Sequence, residues 1–214
     1  MSFKDAKSAI FFRIGSIGYV AGFLAWFTWF LPVILNLIAY WIGYGYSGVM
    51  SGIFFQSGPY PLIVYGFFSA SFMLGSFACF GLKKRYGSNI ALICGIFYLA
   101  VFAILCYSIA SAYSLPVPVY IRILTNNFLM FLNLGMLVWG ATLLEVRKSL
   151  PYPRLSSWIG SIFILIPILT LTWFWQVLLY WGVEFWFMIF GWLYAICAAA
   201  TAIILWRLSK TCCA

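Results

Sequence analysis

Long apolar stretches, separated by short polar or basic segments, dominate the pattern of this chain. Six such stretches cover about residues 14–38, 59–82, 88–112, 121–144, 156–180 and 184–206. Each is close to the roughly 20 residues that an α-helix needs to cross about 30 Å of hydrocarbon. The pattern predicts an all-α fold, namely an integral membrane bundle of six transmembrane helices that forms a single domain over residues 1–214.

The basic residues lie in clusters on alternate sides of these stretches. Arg122 alone falls on one side of the predicted bundle, and the other eleven Lys and Arg residues fall on the opposite side. Those eleven are Lys4, Lys7, Arg13, Lys83, Lys84, Arg85, Arg147, Lys148, Arg154, Arg207 and Lys210. Because cytoplasmic segments carry the excess of Lys and Arg, we predict that both termini are cytoplasmic and that the protein is a multi-pass protein of the cell membrane.

Composition narrows the possible partners. The chain is 66% hydrophobic with a mean hydropathy of +1.07, and only three residues are acidic against a net charge of +9. The basic residues border apolar spans instead of forming a solvated patch, so we expect membrane lipids as partners and no nucleic acid. The six cysteines show no spacing that indicates a metal site or a disulfide framework.

The chain contains no histidine. His-ligated haem, His-bound metals and His-based proton relays are therefore excluded, and serine or cysteine nucleophiles would lack an imidazole base. No phosphate-binding or dinucleotide-binding motif is present. We expect no cofactor, no metal site and no catalytic residues, so an enzyme acting on lipid or quinone is the least favoured function.

The few polar residues of the spans concentrate near the predicted outer ends. Asn126 and Asn133 are seven positions apart in the fourth span and share a helix face, and Arg122 lies one turn before Asn126. Glu184 begins the sixth span at a similar depth. These four side chains are the candidates for an outer-leaflet polar pocket. The alternative is ordinary hydrogen bonding between helices with an Arg–Glu pair at the membrane surface.

Small residues indicate where helices approach each other. Glycines recur along the first span, and a candidate helix-packing strip on the sixth consists of Ala195, Ala198, Ala199 and Ala202. Such strips let helices pack closely, either within the chain or against a partner subunit. Cys212 and Cys213 lie just beyond the sixth span and are possible lipidation sites.

Two stretches carry a resemblance to a known family. The first contains Tyr46-Ser47, Ser57-Gly58-Pro59, Ser71–Gly75 and Leu82-Lys83, and the second is the fourth span with the connection Pro151–Gly160. Together they resemble a family of archaeal polytopic membrane proteins of unknown function. That family has an acidic Ser-Asp-Leu-Gly type element and a His where this chain has Ser57-Gly58 and Asn126-Asn127. The resemblance implies a six-helix bundle and no activity.

Two functions compete on this basis. The first expectation is a non-catalytic integral subunit of a larger, energy-transducing (respiratory) membrane complex, with other membrane-protein subunits as partners. It rests on the absence of cofactor ligands, soluble domains and buried charge. The alternative is a small transporter or a lipid-binding membrane protein that uses the outer polar pocket. An internal repeat would support it, but the sequence shows no convincing repeat between residues 1–112 and 113–214.

Overall fold

The computed structural model describes residues 3–41, 60–112, 117–177 and 183–212, and these residues form an all-helical chain. The helices are α1 (Phe3–Trp41), α2 (Tyr60–Tyr86), α3 (Asn89–Ala112), α4 (Val117–Val146), α5 (Pro153–Val177) and α6 (Val183–Thr211). A short 3-10 turn, Arg147–Ser149, follows α4. The predicted spans at 14–38, 121–144 and 184–206 lie within α1, α4 and α6. Those at 59–82, 88–112 and 156–180 coincide with α2, α3 and α5 except at their ends. Residues 178–180 of the fifth predicted span lie outside the described residues, as does the connection from residue 42 to residue 59.

Four helices are long and apolar enough to cross a membrane within the described residues. The corresponding stretches are Ser8–Trp29, Leu62–Tyr86, Asn89–Tyr107 and Gly191–Thr211, and α5 contributes a shorter apolar stretch, Pro153–Leu169. An apolar helix of this length satisfies its own backbone hydrogen bonds, which is the condition for stability in hydrocarbon. The chain is therefore a helical membrane protein.

The helices pack as a ring in chain order. Each of α1 to α5 contacts the next helix along the chain, and α6 returns to contact α1. Contacts between α1 and α6 run antiparallel, because the hydroxyl of Ser16 donates to the carbonyl of Ala202 while Trp26, further along α1, meets Tyr194. The ring encloses a common interior to which all the helices contribute side chains.

Glycines of α1 allow a close approach to α2. A Cβ atom placed on Gly15 would lie 2.4 Å from the Cβ of Ala78, and one placed on Gly18 would lie 2.6 Å from the backbone nitrogen of Gly75. From Gly15 to Gly18 along α1, the contacted residue of α2 changes from Ala78 back to Gly75. These two helices are therefore also antiparallel. No larger side chain fits at these glycines, which explains their recurrence in the first span.

The outer face of the ring is apolar. On α1 and α3 the exposed side chains recur at helical spacing, as expected for helices that face lipid. They are Ile10, Ile17, Val20, Leu24, Phe27 and Leu31 on α1, and Ile93, Ile96, Leu99, Ile104 and Tyr107 on α3.

A tight turn joins α2 to α3 at the basic end of the bundle. Gly87 has φ +75° and its N–H donates to the carbonyl of Lys83 at 2.9 Å, so this glycine ends α2 in the left-handed conformation. Ser88 then begins α3, because its hydroxyl oxygen accepts the N–H of Ala91 at 2.9 Å. The sequence Gly-Ser therefore fixes this hairpin.

We predict that Gly18→Ala destabilises the bundle by about 1–3 kcal/mol, because the added methyl group meets the backbone of α2. Gly66→Ala is the matched control, since a Cβ there has nothing within 4 Å. The control should be neutral or slightly stabilising, because alanine favours the helix. Thermal unfolding of both variants in the same detergent measures the difference, and equal stabilities would contradict the packing described here.

Candidate functional site

The structure describes the side chain of one of the four residues of the predicted outer pocket, Asn133. The side chains of Arg122, Asn126 and Glu184 lie outside the described part of the chain, so their convergence stays a prediction. Asn133 is partly buried, and its Oδ1 accepts a hydrogen bond from the hydroxyl of Tyr194 at 3.0 Å. This bond joins α4 to α6 beside the interior of the ring.

A cavity lies in the interior of the ring, and its wall receives at least one side chain from every helix. We name it the central cavity. Its volume, about 40 Å³, exceeds the 10–15 Å³ or so that one water molecule requires. One lining residue from each helix, taken in chain order, is Tyr19, Phe68, Tyr98, Trp139, Phe163 and Tyr194.

Aromatic rings in contact form most of this wall. The rings of Tyr19 and Trp139, from helices that are not neighbours in the ring, have centroids 5.0 Å apart. Trp26 stacks on Tyr194 with centroids 5.5 Å apart, and Tyr98 meets Phe72 edge-on at 5.1 Å. Such pairs add about 0.5–1.5 kcal/mol each beyond their buried area, so the wall is a cohesive part of the bundle.

Three polar groups of the lining residues belong to the aromatic side chains of Tyr19, Tyr98 and Trp139. The hydroxyl oxygens of Tyr19 and Tyr98 lie 3.3 Å apart and share a hydrogen bond. Trp139 is only 1% exposed, and its indole N–H has no hydrogen-bond partner in the described part of the chain. Leaving such a donor unpaired costs about 1–3 kcal/mol.

Two other buried groups without a partner in the described residues are hydroxyls, Ser69 Oγ and Thr201 Oγ1. A hydroxyl in a helix can rotate toward the carbonyl of the preceding turn, so Ser69 and Thr201 can each donate to a carbonyl of their own helix. The indole N–H of Trp139 has no such acceptor, because the rigid ring cannot reach its own backbone. Trp139 therefore keeps a buried donor without a partner in the described part of the chain.

The alanine strip of the sixth span lies mostly inside the ring. Ala195, Ala198 and Ala202 are buried, and Ala199 is partly buried. Ala202 accepts the hydroxyl of Ser16 from α1 at 2.9 Å, and Ala198 forms part of the cavity wall. Within the described residues, the strip therefore packs against other helices of the same chain, and Ala198 lines the central cavity.

The candidate lipidation sites lie at the basic end. Cys212 is buried at 5% exposure, and the guanidinium of Arg85 donates to its sulfur. Cys213 lies outside the described residues. Lipidation of Cys212 would require the thiol to leave this contact. At the same end, the hydroxyl of Ser88 donates to the carboxylate of Glu145.

Sequence reasoning missed the residues of the central cavity. It sought polar atoms on Asn, Arg and Glu side chains near the predicted outer ends of the spans. Tyr19, Tyr98, Trp139 and Tyr194 instead lie well inside their apolar stretches. A polar aromatic tip far from the interface needs a partner in the protein, and that requirement is the sign that could have identified them.

In the described ranges, no group of three His, Cys, Asp or Glu side chains comes together in a way that could hold a metal ion. Comparison of the chain with protein-family models, with curated proteins and with solved structures gives no match. The central cavity, its aromatic wall and the Asn133–Tyr194 bond are therefore the features from which a function is argued.

We predict an interaction energy of about 0.6 kcal/mol between Tyr194 and Asn133, the mean for hydrogen bonds between membrane helices. A double-mutant cycle of Tyr194→Phe and Asn133→Ala, followed by unfolding in detergent, measures it. The pair Tyr107→Phe and Asn133→Ala serves as a control for additivity, since Tyr107 is 76% exposed on the outer face of α3. Strict additivity in the first cycle would show that the bond contributes nothing.

Proposed function

We propose that the protein is a small multi-pass membrane protein that binds a ligand inside its helix ring, as a transporter or a lipid-binding protein does. The proposal includes six spans with both termini in the cytoplasm of the cell. Clustering of the basic residues supports this orientation. A fluorescent protein fused after Ala214, which fluoresces only on the cytoplasmic side, tests it.

The single observation that carries this function is the central cavity, because every helix contributes to its wall. A bundle that served only as a structural support would gain stability by filling such a space, since cavities cost packing energy. Binding sites within bundles are formed in this way, by side chains from facing helices. Asn133 links the cavity to the predicted outer pocket through its bond to Tyr194.

The second candidate function is a non-catalytic subunit of a larger, energy-transducing membrane complex. The exposed apolar faces of α1 and α3 support it, because either lipid or a partner helix can cover them. Extraction in digitonin, a native gel and mass spectrometry of the band distinguish the two functions. Migration in a large assembly with redox subunits would favour the subunit, and migration alone or as a small homo-oligomer would favour a ligand-binding bundle.

We predict that Ala198→Leu abolishes solute passage by the protein, because the larger side chain fills the central cavity. Ala103→Leu is the matched control, since Ala103 is exposed on α3. Proteoliposomes containing each variant are challenged with a panel of neutral and charged small solutes, and volume changes are followed by stopped-flow light scattering.

Wild-type protein and Ala103→Leu should give faster passage of at least one solute than protein-free vesicles, and Ala198→Leu should return to the protein-free rate. Mass spectrometry of the same preparations measures co-purified lipid, and this tests whether the protein binds lipid. If neither solute passage nor bound lipid differs between Ala198→Leu and Ala103→Leu, the central cavity has no such role.

A further inference from the structure

We propose that one phospholipid with a net negative headgroup binds where α1 and α6 meet at the basic end of the bundle. We name this place the basic seam, and it consists of Arg13 on α1 and Trp206, Arg207 and Lys210 on α6. The basic seam lies on the outer face of the ring. It is separate from the central cavity and does not depend on the function proposed for that cavity.

The hydrogen bond from Ser16 to Ala202 fixes the level at which the two helices meet. Because α1 and α6 are antiparallel, the turn before Ser16 and the turn after Ala202 both lie toward the basic end. Those turns carry Arg13, three positions before Ser16, and Trp206, four positions after Ala202. Both side chains are exposed, so they lie on the outer face of the ring at about the same level, on opposite sides of the seam.

Arg13 belongs to the lipid-facing side of α1. Ile10 and Ile17 share its helix face and are 55% and 57% exposed. Arg13 also lies inside the stretch Ser8–Trp29, which is apolar enough to cross a membrane. A guanidinium in such a position is stable when its stem extends to the interface and an anion meets it there. The position of Arg13 therefore requires a negative group outside the ring at this level.

Trp206 and Lys210 form the other side of the basic seam. The ammonium nitrogen of Lys210 lies 5.7 Å from the centre of the Trp206 ring, so its charge is held beside an exposed indole. Tryptophan at the end of a membrane span is typical of the level where headgroups meet acyl chains. Arg207 is exposed one position after Trp206. The long side chains of all three basic residues of the seam can extend to a phosphate at this level.

Charge complementarity selects the headgroup. Glu145 is the one acidic residue whose side chain the structure describes, and it lies on α4, where its carboxylate accepts a hydroxyl from α3. The segment of α1 before Arg13 carries Asp5 together with Lys4 and Lys7, so it is also net positive. A zwitterionic lipid brings a cation of its own, which the seam repels, whereas an anionic phosphodiester brings none. Basic pockets between membrane helices recognise anionic headgroups of this kind.

The apolar surface beside the basic seam favours a lipid over a soluble anion. Toward the middle of the membrane, the exposed side chains of the two helices are Ile17 and Val20 on α1 and Ile196 and Ile203 on α6. Acyl chains can cover these side chains while the phosphate contacts the cations. A free phosphate would contact the cations alone. The whole seam, charged at one end and apolar beyond it, therefore matches an entire phospholipid molecule.

Native mass spectrometry of the full-length protein in detergent tests this proposal. Delipidated protein is titrated with phosphatidylglycerol or with phosphatidylcholine of the same acyl chains, and the fraction that carries one lipid is measured. Arg13→Gln/Lys210→Gln removes two cations of the basic seam. Arg147→Gln/Lys148→Gln is the matched control, because it removes the same charge from two exposed residues of the turn between α4 and α5.

Wild-type protein should saturate with one phosphatidylglycerol and bind phosphatidylcholine much more weakly. Each basic residue near an anionic headgroup contributes about a factor of five in affinity, so Arg13→Gln/Lys210→Gln should weaken binding of phosphatidylglycerol roughly thirtyfold. The control should stay within about twofold of wild type, because its charges act only at a distance. If the seam variant does not fold, the single variants Arg13→Gln and Lys210→Gln replace it, with a loss of about fivefold expected for each.

Four results would overturn the proposal. They are equal affinity for the two lipids, equal loss in the two double variants, displacement of phosphatidylglycerol by inorganic phosphate alone, and a protein partner or second copy that occupies the seam instead of lipid. Ala198→Leu should leave phosphatidylglycerol binding unchanged. A loss of binding in that variant would place the lipid in the central cavity, which would reject the basic seam but retain the proposed function.

Discussion

The close approach of α1 to α2 is the constraint on which the rest of the bundle depends. Gly15 and Gly18 leave no room for a Cβ against Ala78 and the backbone of Gly75, so the two helices meet backbone to backbone. In hydrocarbon, burial of apolar surface does not by itself drive helices together, so such van der Waals contact is a principal source of association. It also sets the rotation of α1 about its axis.

That rotation places different side chains of α1 in different environments. With the glycines against α2, Ser16 reaches the carbonyl of Ala202 on α6, and Ile17 is exposed on the outer face. Tyr19 and Trp26 then point to the interior, where they contact Trp139 and Tyr194. A single helix with glycine on one side and bulky aromatics on another thus both packs closely against α2 and contributes to the wall of the central cavity.

Hydropathy alone could predict where the helices lie, because the length of an apolar stretch is a property of the chain by itself. The glycines of α1 and the alanines of α6 could also be recognised, since small residues in a membrane span have few other roles. The direction in which each aromatic side chain points could not be predicted in this way. Tyr98 is 5% exposed and Tyr107 is 76% exposed on the same helix, and Trp139 and Trp158 differ as widely at 1% and 72%.

These pairs show why the candidate site escaped prediction. Whether a mid-span tyrosine faces lipid or the interior depends on how its helix is rotated against two neighbours, and that is a property of the whole ring. The outer pocket was predicted from Arg122, Asn126, Asn133 and Glu184 because polar residues are conspicuous in an apolar chain. Of these, Asn133 is the one whose described side chain meets the cavity wall, and it does so through an aromatic hydroxyl.

The position of the central cavity along the bundle bears on how a ligand would move. Toward the basic end, the next layers of the ring contain side chains that are at most 1% exposed, including Phe12, Leu82, Leu143 and Leu205. Side chains packed this closely leave little room for a solute between them. In the described part of the bundle, passage of a solute toward the basic end would therefore require helices to separate. Glycines bring the backbones of α1 and α2 together at Gly15 and Gly18, and those of α4 and α5 at Gly140 and Gly160. Separation at other helix pairs would therefore break fewer close contacts.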